Sequence, residues 1–269
     1  MSSLSDLLSN NDLEGAIAAA SAQVKEHPDQ AEPRVVLADL CVCSGDLEKA
    51  ETHLKMASRI SPDEAVALAS YRNYLRGLYA RNRWFEEAAV PEFPQGPTDC
   101  DKLATKIGLA LRDGDGDAAK ALLDQLDDLR GEVAVHWNGE PAEDFRDLDD
   151  RIPHALEALT TGGSYLWVDF TLIQSLDFAA AERPRDLALR KARMTLTDGA
   201  SAEVLIPATY YGATGVAHQL GRQTDWVEQP GGLVTGQGQR AFLVGDEMKD
   251  IMGAESIGFV HVKAEVANG

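Results

Sequence analysis

The sequence has no apolar run near the roughly 18 residues that cross a bilayer, so no membrane-spanning helix is expected. Its first residues, Met1-Ser2-Ser3-Leu4-Ser5-Asp6, lack the basic stretch and apolar core of a secretory signal. Cysteine is scarce: only Cys41, Cys43 and Cys100 are present. Three are too few for a disulfide framework, and with no signal they fit a reducing cytoplasm. Basic residues number 25 against 44 acidic, a net charge of −19. So acidic a chain repels phosphate backbones and anionic lipid, which argues against nucleic acid and membrane surfaces as partners.

Catalytic grammar is missing as well. There is no Gly-x-Ser-x-Gly, no His-Glu-x-x-His and no Gly-x-x-x-x-Gly-Lys. His27, His53, His136, His154, His218 and His261 share no ligand spacing. Cys41 and Cys43, two apart, point away from each other on a helix and read as packing thiols. The sequence therefore assigns no catalytic residue, no cofactor and no metal site.

What is present is an ordinary globular composition, 44% apolar and 26% charged. A length of 269 residues suggests about two domains. Charge separates them: 30 of the 44 acidic groups precede residue 151.

The first half contains a repeat. Asn11-Asp12-Leu13-Glu14-Gly15-Ala16 returns 34 residues later as Gly45-Asp46-Leu47-Glu48-Lys49-Ala50, and the same offset carries Pro28 onto Pro62. That period is the tetratricopeptide repeat's, a helix–turn–helix unit. Val36, Leu37, Leu40 and Cys41 form one helical stripe, and Leu47, Ala50, Leu54, Ala57 and Ile60 form another. A third echo, Gly116-Asp117-Ala118-Ala119-Lys120-Ala121, falls 71 residues after Gly45. Between them Leu68, Tyr71, Leu75 and Leu78 share a helical face, and Pro91, Pro94, Gly96 and Pro97 mark an extended loop. After it, Leu103, Ile107, Ala110 and Leu111 line one helix, and Leu122, Leu126 and Leu129 are expected to face the core from the next. Residues 1–130 thus read as a tetratricopeptide-like α-solenoid. The first helix of each pair lines the concave side of such an array, which makes Val35, Asp39, Val42, Ala69, Asn73 and Arg76 the candidate partner-binding residues.

The pattern changes after Gly162. Ser164-Tyr165-Leu166-Trp167-Val168-Asp169-Phe170 is aromatic and β-branched. Arg193-Met194-Thr195-Leu196-Thr197 and Ala202-Glu203-Val204-Leu205-Ile206 flank Asp198-Gly199, a strong hairpin signal. Ala241-Phe242-Leu243-Val244 and Ile257-Gly258-Phe259-Val260-His261-Val262 are further strand candidates, with residues 231–238 expected as a loop. Residues 142–160 are expected to supply helix, with Pro153 in the first turn of its final segment, and Trp137, Phe145 and Leu148 to anchor the junction. The fold class is α+β: the solenoid of 1–130 followed by a β-rich α+β domain at 131–269.

Three segments imitate chemical sites. Asp113-Gly114-Asp115-Gly116-Asp117 alternates oxygens like a calcium loop, but Ala118 replaces the required glycine and Asp124 the bidentate Glu, so it reads as an inter-helix turn. Residues 140–151 hold six acids and read as a solvated helix start. Gly236-Gln237-Gly238-Gln239-Arg240 has the makings of an anion nest beside a guanidinium.

Seven motifs in order give the chain a family resemblance. They are Trp137-Asn138-Gly139, Asp149-Asp150-Arg151, Tyr165-Leu166-Trp167-Val168 with Phe170, Pro184-Arg185-Asp186-Leu187, Leu205-Ile206-Pro207-Ala208-Thr209-Tyr210, Thr224-Asp225-Trp226 and Gly236-Gln237-Gly238-Gln239-Arg240. With Tyr71-Arg72-Asn73-Tyr74-Leu75-Arg76 leading into the proline loop, the chain resembles the ImpE/TagJ family of type VI secretion accessory proteins. Ala208-Thr209 departs from the family, which often has a basic residue before that tyrosine. The resemblance implies a cytoplasmic, non-enzymatic adaptor that binds the N-terminal helix of the small contractile-sheath subunit and is linked to the AAA+ ATPase that recycles the sheath. It carries over no catalytic residues. The competing reading is a small-molecule-binding or enzymatic β-rich domain with the repeats as adaptor.

Overall fold

The computed structural model describes residues 3–261. Val262, the last residue of the final predicted strand, lies outside them. Helices α1 (Leu4–Ser9), α2 (Leu13–Glu26), α3 (Glu32–Ser44), α4 (Leu47–Ile60), α5 (Ala65–Glu87), α6 (Asp99–Asp113) and α7 (Gly116–Arg130) form the first half. None of the described helices is long and apolar enough to cross a membrane. The repeat motif is a cap. Asp12, Asp46 and Asp115 each precede a helix and accept the backbone N–H three residues on, satisfying one of its orphan donors. The third copy is therefore offset by 69 residues, from Asp46 to Asp115, and not by the 71 that Gly116-Asp117 suggested. Gly114, with φ of 75°, closes α6 as Gly45, at 80°, closes α3, so the calcium-like segment is an inter-helix turn.

The second half comprises β1 (Val135–Trp137), β2 (Glu140–Ala142), β3 (Phe145–Asp147), β4 (Ala155–Thr160), β5 (Tyr165–Asp169), β6 (Ile173–Phe178), β7 (Leu189–Leu196), β8 (Ser201–Pro207), the single turn α8 (Val216–Gln219), β9 (Thr224–Glu228), β10 (Val234–Gly238), β11 (Ala241–Val244), β12 (Glu247–Asp250) and β13 (Ser256–Phe259). Eight strands form one antiparallel sheet in the order β2-β1-β13-β6-β7-β8-β4-β5. Strands β12-β11-β3 form a second sheet and β10-β9 a third. The Asp198-Gly199 turn joins β7 to β8, with Gly199 at φ of 86°.

Two expectations fail here. Residues 142–160 are strand and turn, not helix. Phe145-Arg146-Asp147 buries its outer two side chains in period two, and the acids that suggested a solvated helix start include the buried Asp147 and Asp149. Residues 234–238 are strand, not loop: glycine at 236 leaves room for the Tyr210 ring, which any Cβ there would meet at 2.2 Å.

The main sheet packs two ways. On β4, Ala155 and Leu159 join the helical core while Leu156 and Ala158 face a core made by the β half alone. On β5, Tyr165 and Trp167 point to the helices, and Val168 to the β core. Trp84 of α5 meets Trp167 edge-on at 4.8 Å. Trp137 and Phe145, expected at the junction, instead belong to the β core, and Leu148 is only half-buried. Leu129, expected inward, is 52% exposed. The open edge of β5 is covered by the α5–α6 connection: Glu92 N–H donates to Tyr165 O, and Trp167 N–H to Glu92 O.

Because one apolar cluster spans both halves, they are expected to unfold together. Leu159→Ala, at a fully buried contact between them, should cost about 2–5 kcal/mol. Helical ellipticity and tryptophan fluorescence should then shift to the same lower melting temperature. Two separate transitions would show that the helices are stable without the sheet.

Candidate functional site in the groove between repeats and sheet

The inner face of the repeats is built by α3 and α5, and the β half fills its middle. Asp39, on α3, is buried beneath residues 183–187. Arg183 donates to its two carboxylate oxygens at 2.9 and 2.8 Å, and Tyr71 Oη donates to it at 2.6 Å. Burial pushes the Asp39 carboxyl up, and Arg183 opposes that rise. Arg183 and Arg185 lie over the Tyr71 ring at 5.4 and 4.2 Å. Cys43 Sγ contacts Pro184 O at 3.2 Å.

Two cavities remain beside this plug. One, of about 340 Å³, is lined by Val35, Ala67, Leu68, Tyr71 and Tyr74, with Arg183 and Arg185 at its side. The other, of about 230 Å³, is lined by Val42, Leu78, Arg81, Leu189 and Tyr211. Thus Val35 and Val42 reach different cavities. Ala69 is exposed and lines neither. Asn73 Nδ2 donates to Thr161 O at 2.7 Å, and Arg76 donates to Asn73 Oδ1 at 3.0 Å. The six predicted residues therefore do not form one continuous open groove.

Behind the second cavity lies a buried charge network that sequence reasoning missed. Glu157, on the helix-facing side of β4, accepts from Arg81 of α5 at 2.7 and 3.1 Å and pairs with Arg240, which follows β10. Tyr165 Oη donates to Glu157 at 2.6 Å, and Trp167 Nε1 donates to Tyr165 Oη at 2.7 Å. Arg240 also donates to Asp147 at 2.9 Å, whose other oxygen accepts Tyr210 Oη at 2.8 Å. Burial would push the Glu157 carboxyl up, but Arg81 and Arg240 overcome it and hold the group at about 2. Asp147 is lifted to about 6, chiefly by burial, with Arg240 pulling it back.

The segment with the makings of an anion nest is strand β10 instead, and the anions beside it come from this chain. Gly236 N–H donates to Asp149 at 3.0 Å and Val234 N–H to Asp150 at 2.7 Å. Arg240 is spent on Asp147 and Glu157, so no guanidinium is left for phosphate. The thiols are poor nucleophiles: burial pushes Cys41 up to about 11, Cys100 up to about 12, and Cys43 higher still. A cluster that could hold a metal, Asp101, His154 and Asp169, lies apart from the groove.

Residues 139–258 match the family model described as ImpE protein. This segment belongs to the ImpE family. Residues 7–71 match a tetratricopeptide-repeat model. Over 237 residues the chain is 27% identical to the type VI secretion system accessory component TagJ of Pseudomonas aeruginosa, spanning 86% of this chain and 83% of that protein. Protein VPA1032 of Vibrio parahaemolyticus, known from an X-ray crystal structure, has the same fold. It superposes with a TM-score of 0.88 over 97% of this chain and 98% of its own, at 24% identity. The ImpE segment supplies every β-side member of the junction: Glu157, Tyr165, Trp167, the plug at 183–187, Tyr210 and Arg240. Of the motifs that carried the resemblance, those at 165–168, 184–187 and 205–210 contribute residues that meet the repeats, while Trp137 and 224–226 pack within the β half.

Glu157→Gln would leave a buried guanidinium without its counter-charge, at a cost of about 3–5 kcal/mol. Because the folded carboxyl titrates near 2, below its ordinary value of 4.5, its stabilisation is full above pH 4.5 and disappears as pH falls through 2. Urea unfolding across that window should show the wild type losing about 3 kcal/mol that the variant does not lose. Parallel pH profiles for the two proteins would show that Glu157 is not held by its arginines.

Proposed function

We propose that this chain is a cytoplasmic, non-enzymatic adaptor of a type VI secretion system that holds an amphipathic helix from the small contractile-sheath subunit and links the sheath to its recycling ATPase. The observation that carries this reading is the 27% identity to the accessory component TagJ, which extends over both the repeats and the ImpE segment. The geometry supports a helix-in-groove mode. The cavity at Val35, Leu68, Tyr71 and Tyr74 offers apolar walls for the anchors of an amphipathic helix. Of the candidate residues, Val35 contacts the partner and Val42 serves the neighbouring cavity, while Ala69 lies outside both. Asp39, Asn73 and Arg76 act through the segments they hold, Arg183 and Thr161.

Calorimetric titration of a synthetic peptide covering the sheath subunit's first helix tests this. Binding is expected. Alanine at one or two positions of the peptide's apolar face should weaken it about tenfold or more. Because the chain carries −19, added salt should slow association of a peptide with a basic polar face. Ala67→Trp, which fills the cavity, should weaken binding at least tenfold without lowering the melting temperature. No heat with soluble peptide and folded protein would sink the adaptor reading; unchanged affinity in the tryptophan variant would move the helix to another surface.

A further inference from the structure

We infer that Asp101, His154 and Asp169 form a site for one divalent first-row metal ion, with zinc the best fit, that pins α6 to the sheet. Asp101 lies in the first turn of α6, His154 immediately precedes β4, and Asp169 ends β5. Each offers one ligand atom, and the three atoms lie within 4.8 Å of one another. Ligands 2.0–2.2 Å from a shared zinc stand roughly 3–4.4 Å apart, so the cluster needs only slight contraction.

Charge makes the case. Among the described residues, the other buried carboxylates each meet an arginine: Asp39 with Arg183, Asp147 and Glu157 with Arg240, Asp149 with Arg151, Asp186 with Arg185. Asp101 and Asp169 are equally enclosed, at 1% and 5% exposure, yet no lysine or arginine pairs with either. Asp169 accepts only from Thr171 N–H, Thr171 Oγ1 and Thr98 Oγ1. Asp101 accepts from Thr98 N–H at 2.8 Å and lies 2.9 Å from His154 Nε2. Asp101 thus has one imidazole beside it and Asp169 only neutral hydroxyl and amide donors, so even a charged imidazole leaves one negative charge uncompensated. Buried charge is expensive unless paired or bound to metal.

Histidine supplies an independent observation. The His154 side chain is 1% exposed, and its Nδ1 is buried with no hydrogen-bond partner. The ring and Asp169 line a cavity of about 220 Å³ together with Thr98, Cys100 and Thr171, which leaves room on that side for an ion's remaining water ligands; Asp101 does not line it but lies 2.9 Å from the ring. Arg130 and the exposed Leu129 border the same cavity and give it a route to solvent. One imidazole nitrogen with two carboxylate oxygens is a borderline donor set, matched to zinc, manganese or ferrous iron rather than to magnesium's all-oxygen shell. The ion would join the repeats to the sheet some way from the groove, so this inference does not depend on the adaptor reading.

The test uses the full-length protein, stripped with a chelator and titrated with Zn²⁺ and, separately, Mn²⁺. One equivalent per chain is expected, with a rise in melting temperature of about 5 °C or more at a hundredfold excess over Kd. Asp169→Asn keeps an oxygen for the Thr171 hydrogen bonds and should weaken binding at least tenfold. No binding of either ion, or unchanged affinity in the variant, would overturn the site. A measurement on the wild type alone locates the ion should the variant fail to fold. Mn²⁺ should first broaden the amide signals of Asp101, Ala155 and Phe170 in labelled protein. Broadening confined to exposed acids such as Asp113 and Asp117 would equally overturn it.

Discussion

One carboxylate holds the architecture in register. Glu157 shares a face of β4 with Ala155 and Leu159, the face that packs on the helices. An acid there is tolerable only if cations come to it. Arg81 brings α5, and Arg240 brings the corner between β10 and β11. Arg240 in turn fixes Asp147, and Asp147 fixes Tyr210, whose ring closes on Gly236. Buried pairs of this kind are weak evidence for net stability but a strict positional constraint, because each partner left alone is a buried charge.

This constraint ties the sheet to the inner face of the repeats. Leu159 packs on α5 at Gly77, Trp167 meets Trp84 of the same helix, and the plug at 183–187 enters the concave side. The repeats are thereby held in one curvature. Recognition is left to the cavities flanking the plug rather than to an uninterrupted channel.

The helical half was legible because its signals are local. Asp12 and Asp46 cap at a fixed offset, and a 3.6-residue period needs no knowledge of the rest of the chain. The Asp198-Gly199 hairpin is local in the same sense. What sequence reasoning missed is non-local. Residues 140–151 are as acidic as a helix start, and nothing near them announces that Asp147 awaits Arg240, 93 residues away. Helix position alone marks six partner residues, and by that measure Asp39 looks available; its arginine lies 144 residues on. Asp101 and His154 are 53 residues apart and share no motif spacing. The glycines at 236 and 238 suggested an anion nest, but the segment pairs as strand β10, and its N–H groups meet Asp149 and Asp150, more than 80 residues earlier.

The same long separations set an order on the birth of the molecule. Chains emerge from the ribosome at about 5–20 residues per second, so Arg81 precedes Arg240 by roughly 10–30 s. Glu157 arrives about midway. During that interval the nascent repeats have their caps and their stripes of leucine, but α5 presents a guanidinium whose counter-charge is first absent and then shared with a partner not yet made. The helices gain their permanent neighbour only when almost the whole chain is out, so closure of the junction is a late event of synthesis and cannot be completed by an N-terminal fragment.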